Sequence, residues 1–427
     1  MKRKNKIEGA TLEFFHNACV IFKSSKGFRV LTDPWFNNGA FGSWCLAHDV
    51  HRIPVYKKDY DLIYISHAHE DHFDERFLSS ISKDVPIVFP KEPIIKILLP
   101  KLSQLGFKNL FPLGNEEKVK FKDLTMTLFH PFQKRRFDKK VKLPNFIDSA
   151  LLFDDGSFSF LNTNDNFPTV KSFKKINKKY GKPDLVSLLY NTAGFYPQCI
   201  DNLTQKQKLK EKQFILNKCF NVLYEASLAS KTKVMPFAGD YFLGGELAKL
   251  NKFLAVSTPS EANNFLLSKE VDSIVLGGGG IYSFKQQLLI KAGFHYTIYD
   301  GIKYAKNQKL NFFWNLEPYP SFKRLDELIK LGFNKLLEKQ KRLNIFPDYS
   351  VTFLTKRAKI IGNINLSHKL KPKNNIQIKI EPRLLKASLE RRFHWDSVLT
   401  GCHVNIYRSN HPDYDVDVYL LLSFFHI

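Results

Sequence analysis

The sequence predicts a mixed α/β fold, a four-layer αββα sandwich with a C-terminal α+β extension. Two observations predict this fold class. Short, strand-like apolar runs separated by turn signals recur between residues 11 and 165. Helical patterns lie between some of these runs. Because a sheet buries a face and a helix buries a stripe, this mixture favours two facing sheets with helices on their outer sides.

The individual elements follow from the local pattern. Residues 11–22 and 28–35 predict two strands of a hairpin, joined by a turn at residues 24–27. Further strands are predicted at residues 86–89, 124–128, 150–153 and 158–161, and helices at about 91–105, 204–229 and 322–342. The character of the sequence changes after about residue 300. We therefore expect a catalytic domain over residues 1–300 and an extension of unassigned role over residues 301–427.

Composition limits the class of protein. The chain has 427 residues and is 44% hydrophobic, which is enough for a large core. The apolar run at residues 419–425 is far shorter than the roughly 20 residues that span a bilayer, so we expect no transmembrane segment. Five scattered cysteines form no C-x-x-C pair: Cys19, Cys45, Cys199, Cys219 and Cys402. This usage indicates reduced thiols in a cytoplasmic protein rather than a disulfide framework.

The charge balance is strongly basic, with a formal net charge of +24. Such a balance favours anionic partners, whether a small substrate, nucleic acid or an acidic membrane surface. Basic runs such as residues 171–179 are, however, typical of solvated helix faces. We therefore expect an anionic small-molecule substrate, with nucleic acid as a less favoured partner. The sequence predicts no particular oligomeric state.

The most informative segment contains His67, His69, Asp71 and His72, directly after a strand predicted at residues 61–65. Histidines at i and i+2 project to the same side of an extended turn and bind one cation. Asp71 and His72 face a second cation, and two divalent ions about 3.5–4 Å apart activate a shared hydroxide. A solvated polar loop is the competing interpretation, which the preceding buried strand disfavours. The H-x-H-x-D-H spacing is typical of the metallo-β-lactamase superfamily.

A site for two metals needs further ligands from residues that follow this segment in the chain. His130 and Asp165 each follow a predicted strand, and a carboxylate at such a position can bridge two ions. The competing interpretations are a surface histidine at a strand end for His130 and a turn-stabilising role for Asp165. Asp148 is a rival ligand from the same region. Asp240 is either a substitute ligand or a residue that caps a loop.

Two residues near the N-terminus are candidates for supporting roles. Asp33 ends an early strand, where a carboxylate can orient a histidine ligand through its free ring N–H. His16 also lies in an apolar strand and either lines the mouth of the pocket or is a core histidine.

These motifs together resemble the metallo-β-lactamase-fold part of the CMP-N-acetylneuraminate hydroxylases. That branch is in turn similar to ascorbate-6-phosphate lactonase and N-acylphosphatidylethanolamine phospholipase D. The resemblance covers about residues 11–300 and continues weakly at residues 316–319 and 394–396. The segments that carry it are Asp33-Pro34-Trp35-Phe36, Ala40-Phe41 with Trp44, and residues 61–67, 161–165 and 236–239.

The resemblance implies a set of metal ligands. It comprises His67, His69, Asp71 and His72, with Asp165 as the bridging carboxylate and His130 as a third-motif histidine. The hydroxylases also carry a Rieske iron–sulfur domain, whose centre needs a Cys-x-His pair as well as a Cys-x-x-His pair. This sequence contains no Cys-x-His. The final histidine of the lactonase and phospholipase relatives is expected near residues 254–259, where none occurs, so the second metal should bind more weakly.

The motif and the resemblance predict a metallo-β-lactamase-fold metallohydrolase. It would use a metal-activated hydroxide on an anionic ester, either a phosphodiester or a sugar-nucleotide-like substrate. The predicted cofactors are two divalent metal ions, with zinc favoured over iron or manganese, and the predicted catalytic residues are Asp71 and His67. One alternative is the catalytic component of a CMP-sialic-acid-hydroxylase-like oxygenase served by a separate electron-transfer protein. A second alternative is a polyanion-binding protein with a vestigial metal site.

Overall fold

The structure of the protein is a computed structural model that describes residues 8–49, 60–92, 95–133, 147–409 and 416–427. The strands are β1 (Thr11–His16), β2 (Cys19–Lys23), β3 (Arg29–Thr32), β4 (Trp44–Cys45), β5 (Leu62–Tyr64), β6 (Ile87–Pro90), β7 (Leu110–Leu113), β8 (Lys118–Phe121), β9 (Leu124–Phe129), β10 (Ala150–Asp154), β11 (Ser159–Asn162), β12 (Leu185–Leu189), β13 (Lys233–Phe237), β14 (Phe242–Leu243), β15 (Gly280–Ser283), β16 (Leu288–Lys291), β17 (Tyr349–Leu354), β18 (Ile360–Asn365), β19 (Asn374–Ile380) and β20 (Val404–Arg408). The α-helices are α1 (Glu75–Ser80), α2 (Ile95–Gln104), α3 (Val170–Tyr180), α4 (Gln205–Ser230), α5 (Pro259–Leu267), α6 (Ile298–Lys306), α7 (Phe322–Leu343), α8 (Pro382–Leu389), α9 (Trp395–Thr400) and α10 (Val416–Leu422). Short 3-10 helices occur at Gly245–Phe253 and Phe313–Leu316.

Two large sheets form the centre of the fold. Among the described residues, one sheet has eight strands in the order β16-β15-β1-β2-β3-β5-β6-β7. The other has six strands in the order β13-β12-β11-β10-β9-β8. Strands β3, β5, β6 and β7 run parallel to one another, as do β11, β12 and β13. The parallel strands end at a common edge of each sheet, which is where loops can bring ligands together.

Apolar side chains define the four layers. Phe22 of the first sheet stacks on Phe153 of the second with ring centroids 5.1 Å apart, so the two sheets pack face to face. Leu78 of α1 and Leu98 of α2 pack on the outer face of the first sheet. The outer face of the second sheet is covered by α3, α4 and α5, for example through Phe173. This arrangement confirms the predicted αββα sandwich.

The N-terminal hairpin differs from the prediction. Residues 11–22 were expected to form one strand, but the structure divides them into β1 and β2, which pair antiparallel. The chain reverses at Asn17, whose φ of 46° is left-handed. Asparagine adopts this conformation more readily than other residues with a β-carbon, so it can form the turn. The prediction of a single strand was wrong because the apolar pattern continues through the turn.

The C-terminal residues form a third core next to the sandwich. Strands β17–β20 make a sheet in the order β18-β17-β19-β20, and α7 to α10 pack with it. Helix α6 spans residue 300 and packs on β14, with Gly301 against the Phe242 ring. The division of domains at residue 300 stays a prediction. Within the described ranges, no helix is long and apolar enough to cross a membrane.

We expect Phe153→Ala to lower the free energy of unfolding by about 3–5 kcal/mol, because it leaves a cavity between the two sheets. The control is Phe214→Ala in α4, whose side chain is 63% exposed; its effect should stay within about 0.5 kcal/mol. Urea unfolding followed by circular dichroism measures both. Equal midpoints for the two variants would contradict the packing of Phe153 between the sheets.

Candidate metal centre

The metal-binding loop begins where buried strand β5 ends. Its start is fixed by Asp33, whose Oδ1 accepts a hydrogen bond from the Ser66 backbone N–H at 2.7 Å. The loop then closes into a turn, because the carbonyl oxygen of His69 accepts from the N–H groups of His72 at 3.0 Å and Phe73 at 2.8 Å. This turn brings His69 close to His67 and Asp71 close to His72.

Three of the predicted ligands converge most closely. Within the described part of the chain, ligand atoms of His67, His72 and Asp165 all lie within 4.8 Å of one another. Asp165 Oδ2 is 4.0 Å from His67 Nε2, and Asp165 Oδ1 is 3.6 Å from His72 Nε2. Asp165 arrives from the second sheet, through the loop after β11. The site is therefore built across the junction between the two sheets.

His69 and Asp71 flank this group of three. His69 Nδ1 is 2.9 Å from His67 Nε2, and Asp71 Oδ2 is 3.3 Å from His72 Nε2. The structure thus brings together five of the six residues predicted as ligands. Imidazole nitrogens and carboxylate oxygens are the donors that Zn²⁺ and comparable divalent ions use in proteins. The donor set fits a divalent metal site.

Neighbouring groups orient the two buried histidines. Asp33 Oδ2 is 3.3 Å from His72 Nδ1, and Ser66 Oγ is 2.9 Å from His67 Nδ1. In both rings the Nδ1 atom is occupied by a protein partner, so Nε2 points toward Asp165. Partners of this kind fix the ring orientation and tautomer of histidines that bind metals. The contact expected between Asp33 and a histidine ligand is present.

The electrostatics of the site favour a cation. Burial alone would lower the pKa of His72, but the carboxylates of Asp71, Asp165 and Asp33 hold that pKa well above its usual value. Burial would conversely raise the pKa of Asp71, yet the charge on His72 makes the net shift downward. Several carboxylates crowded around one imidazole create a negative potential inside the protein. A bound cation would neutralise that potential.

The predicted ligands differ in their exposure to solvent. The side chains of His67 and His72 are 0% and 1% exposed, whereas those of His69 and Asp165 are 24% and 22% exposed. The two buried histidines form the floor, and the more exposed pair forms the rim. A substrate would therefore approach past His69 and Asp165.

The other candidate residues lie outside this group. His130 donates its backbone N–H to Asn115 Oδ1 at 2.9 Å and is not among the three converging residues. Asp148 is buried one residue before Ser149, whose hydroxyl donates to the Ser66 carbonyl at 2.6 Å. Asp240 is buried and accepts a short hydrogen bond from the Tyr296 hydroxyl.

His16 lies at the end of β1, facing the interior. Its Nε2 contacts the carbonyl oxygen of Trp35, and burial lowers its pKa to about 3, with a smaller contribution from His48. His16 is thus a neutral core histidine in a small cavity that His48 and Asp240 also line. His16 is not among the three residues that converge at the candidate metal site.

Sequence reasoning missed two residues that touch the site. Asp396, at the start of α9, places Oδ2 3.4 Å from His69 Nε2. Asn17, in the turn between β1 and β2, donates from Nδ2 to Asp71 Oδ2 at 3.3 Å. An asparagine in an apolar run is a recognisable turn signal, so Asn17 could have been noticed. Asp396 lies in the segment 394–396, which the resemblance includes weakly, but no local pattern indicates its contact with His69.

Comparisons with known proteins give the family of the domain. Residues 11–147 match the beta-lactamase superfamily domain. The chain is similar to a protein of Mycolicibacterium smegmatis named as a putative Rieske 2Fe-2S iron-sulfur protein, at 27% identity over 53% of this chain and 43% of that protein. It is also similar to the cytidine monophosphate-N-acetylneuraminic acid hydroxylase of Danio rerio, at 35% identity over 26% of this chain and 20% of that protein.

The chain spans less than half the length of these curated relatives. Among solved structures, CmlA, a diiron beta-hydroxylase from Streptomyces venezuelae, matches with a TM-score of 0.41 and 16% identity over 63% of this chain and 53% of that chain. The resemblance seen in the metal motif is confirmed at the level of the superfamily. Residues 11–147 are therefore similar to the beta-lactamase superfamily domain, the superfamily that the metal motif indicates.

Proposed function

We propose that the protein is a metal-dependent hydrolase of an anionic ester, either a phosphodiester or a sugar-nucleotide-like compound. The observation that carries the proposal is the convergence of His67, His72 and Asp165 within 4.8 Å. His69 and Asp71 would complete the set of ligands for two divalent ions, and zinc is the favoured metal. Bound in such a site, divalent ions lower the pKa of water to near 7 and polarise the scissile oxygen.

Residues of the chain would attract the anionic substrate and accept a proton from the attacking water. Asp71 is anionic at neutral pH because its pKa is lowered, and it would accept the proton released by the attacking water. Asn17 holds Asp71 in place through a hydrogen bond to Oδ2. The net charge of +24 would attract an anionic substrate to the open rim.

His130 remains a proposed ligand for the second metal. Its Nε2 atom is buried and has no hydrogen-bond partner in the described ranges. The segment is also attached to the Asp165 loop, since Asn166 Nδ2 donates to the His130 carbonyl at 3.1 Å. A buried imidazole nitrogen with an unused lone pair fits a metal ligand.

A second candidate function is the catalytic part of an oxygenase that receives electrons from a separate protein. The observation that favours it is the similarity to proteins named for a Rieske centre and for hydroxylation of a CMP-linked sugar. A polyanion-binding role is the third proposal and rests on the net charge alone. Nucleic-acid binding that weakens steeply with salt and is accompanied by no cleavage would favour this third role.

Replacement of both His67 and His69 by alanine should remove bound metal and lower phosphodiesterase activity by at least about 100-fold, because two ligands of one ion are lost. Metal content is measured by mass spectrometry and turnover with bis(p-nitrophenyl) phosphate. The control is His368→Ala, since this ring stacks on Phe346 in the C-terminal unit. Full activity in the double variant would reject the proposed hydrolase.

Asp165→Asn and Asp240→Asn should differ in metal content. Asp165 faces His67 and His72, whereas Asp240 is paired with Tyr296 in a different cavity. The first substitution removes a charge from the metal site and should reduce the bound metal, and the second should leave it unchanged. His130→Ala in the same series should weaken only the second metal. An equal loss of metal in the Asp240 and Asp165 variants would make Asp240 a ligand.

Turnover should be independent of dioxygen and of any reductant if the protein is a hydrolase. The purified protein is assayed on the same phosphodiester under air and under argon, with and without ascorbate as the reductant. Equal rates support hydrolysis. Product that appears only with both dioxygen and a reductant would replace the hydrolase proposal with the oxygenase.

A further inference from the structure

The first turn of α9 lies against the metal-binding loop. Asp396 Oδ2 is 3.4 Å from His69 Nε2. The next residue, Ser397, donates from Oγ to Glu70 Oε1 at 3.4 Å, and Glu70 Oε2 accepts from the Phe41 N–H at 2.7 Å. Two consecutive residues of the C-terminal extension therefore contact two consecutive residues of the loop that carries the ligands.

This contact is held in place at both ends of α9. At its N-terminus, His394 Nδ1 accepts from the Asp396 N–H at 3.2 Å, and the buried Trp395 donates from Nε1 to the Phe425 carbonyl at 2.8 Å. After α9, the Gly401 carbonyl accepts from Ser43 Oγ at 2.6 Å. The backbones are so close that a β-carbon on Gly401 would lie 2.1 Å from the carbonyl oxygen of Phe41. The position of Asp396 is thus fixed by the fold rather than by its own side-chain contact.

The two ring nitrogens of His69 have different surroundings. Nδ1 faces His67 Nε2 at 2.9 Å, and Nε2 faces the Asp396 carboxylate at 3.4 Å. A neutral imidazole has one N–H and one lone pair. A carboxylate beside Nε2 favours the tautomer with the proton there, and this tautomer leaves the Nδ1 lone pair on the side of His67 Nε2, a member of the group formed by His67, His72 and Asp165.

We propose that Asp396 is a positioning residue that holds His69 as a metal ligand through Nδ1, so that the C-terminal extension is part of the metal site. This inference rests on the metal site of the proposed function. It assigns a role to the extension that its sequence does not indicate. The side chain of Asp396 is 45% exposed, so its contact with His69 contributes little to the stability of the fold. Its effect should be visible in metal binding instead.

The test compares Asp396→Ala, Asp396→Asn and the wild-type protein by calorimetric titration of the metal-free protein with Zn²⁺. Loss of a carboxylate that orients a histidine ligand is expected to weaken Zn²⁺ binding by about 10- to 100-fold. The side-chain amide oxygen in Asp396→Asn would still accept the N–H of His69, so this variant should recover part of the affinity. The control is Asp326→Asn, which removes an exposed carboxylate of α7 paired with Lys330 and should leave the affinity unchanged.

A spectroscopic measurement separates positioning from a general structural effect. The visible spectrum of the Co²⁺-loaded protein should change in Asp396→Ala and remain as in the wild type in Asp326→Asn. Unchanged Zn²⁺ affinity and an unchanged Co²⁺ spectrum in Asp396→Ala would overturn the inference. Weakened metal binding in a protein that hydrolyses no phosphodiester would reject the proposed reaction and keep the inference. A wild-type protein that binds neither ion would overturn both.

Discussion

The crowding of carboxylates around one buried imidazole is the constraint on which the rest of the structure depends. Asp33, Asp71 and Asp165 all approach His72, whose side chain is 1% exposed. An ionised group inside a protein costs several kcal/mol unless it is paired and hydrogen-bonded. The three carboxylates lie in the segments that follow strands of two different sheets, so the sheets must be held firmly relative to each other. The close packing of rings such as Phe22 and Phe153 between them provides that rigidity.

Much of the fold could be predicted because its signals are local. The strand predicted at residues 124–128 is β9 at Leu124–Phe129, and the helix predicted at 204–229 is α4 at Gln205–Ser230. In α4 the start is marked by Thr204, whose side chain accepts from the Gln207 N–H in a capping box. The division between β1 and β2 was missed because the apolar pattern continues on both sides of Asn17, so that this one residue, with its left-handed backbone, is the local signal of the turn.

The site was predictable to the extent that ligands are close in sequence or lie at strand ends. The spacing within residues 67–72 fixes which side chains share a turn, and the end of β11 brings Asp165 to the same edge. A position at the end of a strand does not, however, determine into which cavity at the edge of the sheet the side chain points. His130 and Asp240 both follow strands, yet Asp240 pairs with Tyr296 in another cavity. Their different environments come from the packing of loops, which depends on the whole tertiary structure.

The contact between the extension and the metal loop is the part that local sequence patterns do not indicate, although residues 394–396 belong to the weak end of the resemblance. Ser397 and Glu70 are separated by 327 positions in the chain and meet because the C-terminal residues share an apolar cluster with residues near the N-terminus. Phe41, whose ring centroid lies 5.7 Å from that of His69, is buried together with Trp35 and Trp44 in the same apolar cluster as strands β17, β19 and β20. A change in the packing of that cluster would move α9 and the segment around Phe41 together. Contiguous packing thus links His69 to the C-terminal core, and this is the physical route by which Asp396 would position His69.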